Sequence, residues 1–278
     1  MLGKVIGILV VSLVWVSVSM AAPKRVVSMN FCTDHLVQKI AGPGQLVSVS
    51  FLSEDRSASL IADEIGSYYL NHGLAEELLR LDPDLVIAGT YSNRSTVNML
   101  RRLGIRVEEF APALNFEDIR NNIQKVGHLL GREQAAAALV RELDAGLKSL
   151  GIPTTKSDKP PLLGIYTVNS YVTGADSLES NMTKAAGFRH MGSEMGLKGP
   201  NRLSMESLIL TNPDFLLTWQ RWSESTIRSS EMLRHPALKS WFGEARHFSL
   251  DQRYWMCGTP DVLQGVIALQ SIRREMAQ

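Results

Sequence analysis

Four short clusters of aromatic, amide and cationic side chains punctuate the chain: Tyr91 with Arg94, Tyr166 with Asn169 and Tyr171, Trp219 with Arg221 and Trp222, and Arg253 with Tyr254 and Trp255. Side chains of these types suit a flat, partly anionic ligand. Ring faces cover its apolar area, and guanidinium groups meet carboxylates, phosphate or net negative charge. A single aromatic residue at such a place usually belongs to the core or its rim. Recurrence in both halves of the chain, with Arg interleaved, favours a cleft lined for a ligand. "MNFCTD" adds Asn30, Phe31 and Asp34 as candidates, although Thr33 or Asp34 could instead cap a helix.

Other chemistries fit less well. A bare metal ion needs several His and a carboxylate converging on one point. The histidines, His35, His72, His128, His190, His235 and His247, are scattered without His-x-His or His-x3-His spacing, so no metal site is expected. Haem would need an axial Tyr or His facing it, for which Tyr68, Tyr69 and Tyr91 are available. The chain lacks G-x-S-x-G, G-x-x-x-x-G-K-[ST], H-E-x-x-H and a G-x-G-x-x-G after a strand, which leaves a hydrolase or a cleft oxidoreductase as the weaker class and no catalytic residue assigned.

The elements that would position these clusters follow from periodicity. Residues 1–22 have one early Lys4, an apolar run from Val5 to Val18 and small residues at Ser19 and Ala21, the layout of a secretory signal cleaved after Ala21 or Ala22. A retained anchor is the alternative, since about 18 apolar residues can just span a bilayer. Without that segment, 278 less 22 leaves 256 residues, and losing Lys4 from 29 basic residues leaves 28 against 28 acidic ones. Such a balance gives no general attraction to nucleic acid or to an anionic membrane.

"KRVVSMN" and "QLVSVSF" read as strands around the helix "TDHLVQKIAG", and "LAEELLRLDPDLVIAG" as helix, turn and buried strand, followed by "STVNMLRRLGIRVEEFA". Such alternation predicts a parallel sheet with helical crossovers. From Asn115 to Leu150 the pattern is helical, with stripes at Ile119, Ile123, Val126 and Leu130, then at Leu139, Leu143, Leu147 and Leu150. After the polar break "GIPTTKSDKPP" the alternation resumes. The fold class is therefore α/β, with two parallel-sheet lobes at 23–130 and 153–278 and one long helix bridging them at 131–152. In an open parallel sheet, ligands sit beyond the carboxyl ends of the strands, which is where the four clusters fall.

The two halves also repeat one another. "AEELLRLDPDLVIAGTY" and "MESLILTNPDFLLTWQRW" align without gaps, with Glu76 on Glu206, Pro83 on Pro213 and Asp84 on Asp214, each 130 residues apart. Pro ends the helix and turns the chain into a buried strand.

With its doubled Glu-x6-Pro-Asp, its "RVVSMN" start and its helical bridge, the chain from about Arg25 onward resembles the periplasmic substrate-binding proteins of ABC importers for iron chelates and vitamin B12. That resemblance implies a periplasmic monomer whose cleft captures a ferric siderophore or cobalamin, and whose partner is a membrane permease dimer. Haem, a bare ion or a sensor role stay open. No protein cofactor is implied beyond iron or cobalt carried by the ligand. By position, the permease-docking acids of the family fall on Glu76 and Glu206, with Glu77 a possible substitute in the first lobe. Cys32 and Cys257 fall where the lobes would face each other, either bonded as a staple or free.

Overall fold

The computed structural model describes residues 21–151, 159–219, 233 and 235–275, with the side chains of Trp219 and Glu244 left out. The first lobe runs β1 (Val26–Ser28), α1 (Phe31–Ile40), β2 (Leu46–Ser50), β3 (Tyr69–Asn71), α2 (Ala75–Arg80), β4 (Leu85–Gly89), α3 (Arg94–Arg102) and β5 (Val107–Phe110). Its five strands are parallel, in the order β3-β2-β1-β4-β5. Every residue of β1 and β4 is buried, as a strand covered by helices on both faces requires. The order reverses between β1 and β4, which opens a crevice at their carboxyl ends.

Two antiparallel helices follow, α4 (Phe116–Leu130) and α5 (Glu133–Leu150), joined through Gly131 at φ 65°. The stripe Ile119, Ile123, Val126 and Leu130 is fully buried. On α5 only Leu143 of its stripe is fully buried, while Leu139, Leu147 and Leu150 lie half-buried against the same core. With eighteen residues, α5 is about 27 Å long at 1.5 Å per residue. The apolar core is continuous beneath it, from Val26 and Ile119 in the first lobe to Leu178, Trp255 and Val266 in the second.

The second lobe contains β6 (Leu162–Thr167), β7 (Tyr171–Val172), α6 (Leu178–Ala185), β8 (Arg189–His190), α7 (Met191–Glu194), β9 (Asn201–Arg202), α8 (Met205–Thr211), β10 (Phe215–Trp219), α9 (Pro236–Arg246), β11 (His247–Leu250) and α10 (Val262–Glu275). Its sheet carries the expected parallel strands and adds an antiparallel edge. Strands β11, β10, β6 and β8 are parallel, but β6-β7-β9 is antiparallel. The reason is local. Asn169 and Ser170 both have left-handed backbones (φ 57° and 62°), and successive positive φ values turn a strand straight back into a hairpin.

The repeat has a structural counterpart. Glu76 and Glu206 are the second residues of α2 and α8, and each helix ends at a left-handed residue, Asp82 (φ 45°) and Asn212 (φ 44°), before its Pro. Asp84 then accepts hydrogen bonds from the Lys24 and Arg25 amides at 2.7 and 3.0 Å, and Asp214 from the Leu162 amide at 2.6 Å. Each Asp thus ties the start of its own strand to that of the neighbouring strand.

Candidate functional site

α1 sets one wall of the site. Its N-cap is Asn30, whose Oδ1 accepts from the Cys32 and Thr33 amides. That corrects the expected cap at Thr33 or Asp34. Asp34 is fully buried, with Oδ2 accepting from the Ser50 amide and the Ser53 hydroxyl; burial raises its carboxyl well above the usual range.

Between the lobes lies a cavity of about 460 Å³. Asn30 and Tyr91, beyond β1 and β4, and Phe110, at the end of β5, face it from the first lobe. Asp176, Glu179 and Trp255 face it from the second. The two walls are tied together. Cys32, in the first turn of α1, is disulfide-bonded to Cys257. Lys39, in the last turn, pairs with Asp261 at 3.1 Å. Gly258 packs so closely that a Cβ there would fall 2.3 Å from that of Ala113, and the Asn181 amide donates to the Leu114 carbonyl at 3.1 Å. Both ends of α1 are therefore fixed to one stretch of the second lobe, residues 257–261.

Of the candidate ligand contacts, Asn30, Tyr91 and Trp255 line this cavity. Tyr91 stands at the rim, 87 % exposed, and Trp255 is embedded at 3 %, its Nε1 lacking a hydrogen-bond partner among the described residues. Tyr166 is a correction. It is fully buried in the second lobe's core, donating its hydroxyl to the Leu203 carbonyl at 3.1 Å, because inward positions on β6 face that core. The remaining candidates among the described residues do not line the cavity. Phe31 packs edge-on against the His35 ring at 4.6 Å. Arg94 is paired with Glu109, and Arg253 with Asp251. Asn169 is exposed on the hairpin, and Tyr171 lies under the Arg202 guanidinium at 5.4 Å. The Trp219 side chain, Arg221 and Trp222 lie outside the described residues. Tyr68 and Tyr69 are not in the wall either.

Sequence reasoning missed Phe110, Asn122, Thr173, Asp176, Glu179 and Met256, all wall residues. For Phe110 the signal was present, since it ends a strand of the first sheet. For Asp176 and Glu179 it was not, because α6 follows a hairpin and no strand end announces it. Among the described residues no group of three His, Cys, Asp or Glu side chains could hold a metal ion, and no helix is long and apolar enough to cross a membrane.

Behind Thr173 a buried chain of polar groups stiffens the second wall. The Thr173 hydroxyl meets His190 Nε2 at 3.2 Å, and Ser193 Oγ lies 3.0 Å from both His190 Nδ1 and Ser180 Oγ. Burial pushes the His190 pKa down to about 4, and burial lowers His35 and His247 as well. A depressed His pKa means that the unfolded chain binds the proton first. The stability contributed by the neutral ring is therefore present above pH 6.5 and lost as pH falls through about 4. Denaturant titrations at pH 7 and pH 4 should show the wild type losing about 3 kcal/mol more than His190→Gln. Equal losses would mean that His190 is protonated in the folded state.

Residues 26–241 match the model of a family described as periplasmic binding protein. The chain belongs to that family. Periplasmic binding proteins work outside the cytoplasm, and they bind solutes rather than turn them over. A curated relative, the cobalamin-binding protein of Halobacterium salinarum, is 24 % identical over 199 residues, 70 % of this chain and 54 % of the relative. The chain thus spans about half the length of the curated relatives it matches. Among solved structures, the periplasmic heme-binding protein RhuT from Roseiflexus sp. RS-1 superposes with a TM-score of 0.75 at 22 % identity, over 92 % of this chain and 99 % of the other. The vitamin B12 binding protein BtuF of Vibrio cholerae does so with 0.66 at 17 % identity, over 92 % and 99 %. At these identities the likeness is one of fold, that of two-lobed periplasmic binding proteins.

Proposed function

We propose that this periplasmic binding protein captures a metal chelate of corrinoid type, neutral or cationic and edged with carboxamides, and delivers it to the permease of an ABC importer. Residues 23–130 and 153–278 act as its lobes and 131–152 as the bridge, after export under a signal peptide at 1–22. One observation carries the choice of ligand. The described wall offers ring and aliphatic surface from Phe110, Trp255 and Leu36, amides from Asn30 and Asn122, carboxylates from Asp176 and Glu179, and no Lys, Arg or His. Anionic siderophores and the propionates of haem would meet like charge without a cation to receive them. The relative from Halobacterium, described as cobalamin-binding, points the same way. Haem is the second reading, on the single observation that the Tyr91 phenol stands at the rim, where an axial ligand could reach a haem iron.

Titration of the protein, freed of its first 22 residues, against cyanocobalamin, haemin and ferric siderophores under tryptophan fluorescence tests this. Saturable quenching by cyanocobalamin at roughly micromolar concentration or below is expected. Quenching by haemin alone, lost in Tyr91→Phe, would replace this reading with the second.

A further inference from the structure

We propose that Glu179 is the residue by which the cleft distinguishes carboxamide-edged chelates from carboxylate-edged ones, an inference that rests on the corrinoid reading above. Glu179 is the second residue of α6 and lines the cavity. The helix does not need it there. Ser177 caps α6, its Oγ accepting from the Ser180 amide at 3.1 Å, and the reciprocal partner in a capping box would stand at position 180. Nor does Glu179 serve charge balance, since among the described residues its carboxylate has no ion pair and no side-chain hydrogen bond.

A half-buried carboxylate without a partner costs stability. The surrounding protein atoms raise its pKa, against only its own backbone N–H pulling it down. Such a cost is retained where it serves binding. Each of the two wall amides is engaged at one end and has its other end left for a ligand. Asn30 gives its Oδ1 to the α1 cap, and Asn122 Nδ2 donates to the Ala111 carbonyl at 3.4 Å. The free polar capacity facing the ligand from α6 is acceptor capacity, and it suits N–H donors. A ligand carboxylate at the same place would force two negative charges together in a partly dry site, and rejecting a ligand by unpaired like charge is a strong source of specificity.

The test uses two corrins that differ only at their edge, dicyanocobinamide with carboxamides and dicyanocobyrinic acid with carboxylates. At pH 7 the wild type should bind the amide form at least about tenfold more tightly. In Glu179→Gln, which keeps the shape but offers a neutral and weaker acceptor, the amide form should bind somewhat less tightly than to wild type, while the acid form gains and the ratio collapses. Thermal unfolding of the variant should be unchanged or raised, because an unpartnered carboxylate is removed. Glu179→Ala, which removes the acceptor as well, should weaken the amide form. A wild-type preference that survives Glu179→Gln unchanged would overturn the inference. A wild type that binds neither corrin would refute the corrinoid reading and this inference with it.

Discussion

Breaking the Cys32–Cys257 disulfide should produce the largest stability loss of any two-atom change in the molecule. The bond joins residues 225 apart in sequence, and a cross-link closing so long a loop removes chain entropy from the unfolded state equivalent to about 5 kcal/mol. Little of that is expected to return as relief in the folded state. The Lys39–Asp261 pair, the contact of Gly258 with Ala113 and the apolar core that runs through both lobes hold the same surfaces together. Reduced protein, or Cys32→Ser with Cys257→Ser, should therefore stay folded with a much lower denaturation midpoint and a steeper denaturant slope, because the unfolded chain without its cross-link exposes more surface. The bond lies at the cavity wall, next to Trp255 and Met256, so bound ligand should also leave faster from the reduced form. A thiol count of zero on the unreduced protein and the drop in midpoint after reduction check this together. Two free thiols, or identical midpoints, would show that the lobes are held by packing alone.

How far the residues foretold this arrangement depends on the kind of signal each element carries. Strands β1 and β4 and the stripe Ile119, Ile123, Val126 and Leu130 could be read because burial on a sheet or helix face imposes a period on the chain. Glu76 and Glu206 could be paired because a repeated helix-turn-strand preserves spacing. The hairpin at Asn169 and Ser170 could not, since it rests on two left-handed backbones at residues that adopt other conformations elsewhere. Its consequence reaches the site. The same misreading of β6 as one more strand leading to a ligand put Tyr166 in the cleft, when its inward register puts it in the core. Glu179 was invisible for a related reason, because a surface-helix Glu and an unpartnered cavity Glu look alike until the neighbours are known. Arg94 and Arg253 misled in the opposite sense. Their charge suited an anionic ligand, but Glu109 and Asp251 already use it.

Replacing Glu76 and Glu206 together by Ala should abolish most ligand delivery while leaving ligand affinity where it was. Both residues are exposed, each at the second position of its helix and on opposite lobes. Neither lines the cavity. Glu77 does not back up Glu76, because its carboxylate accepts from the His72 amide at 2.8 Å and meets His72 Nδ1 at 3.0 Å. One exposed ion pair is worth about 0 to 1 kcal/mol, so a single replacement should slow transport only a fewfold. Two acids docking from one protein would act through effective concentration, so losing both should cost far more than twice one. Stability should move by less than about 0.5 kcal/mol in either case. Reconstituted uptake and ligand titration of the single and double variants separate the possibilities. Intact binding with uptake that collapses only in the double variant fits one acid per permease half. Loss of ligand affinity in the double variant would instead make these carboxylates part of the binding structure, and the 130-residue repeat would then be a device of folding alone.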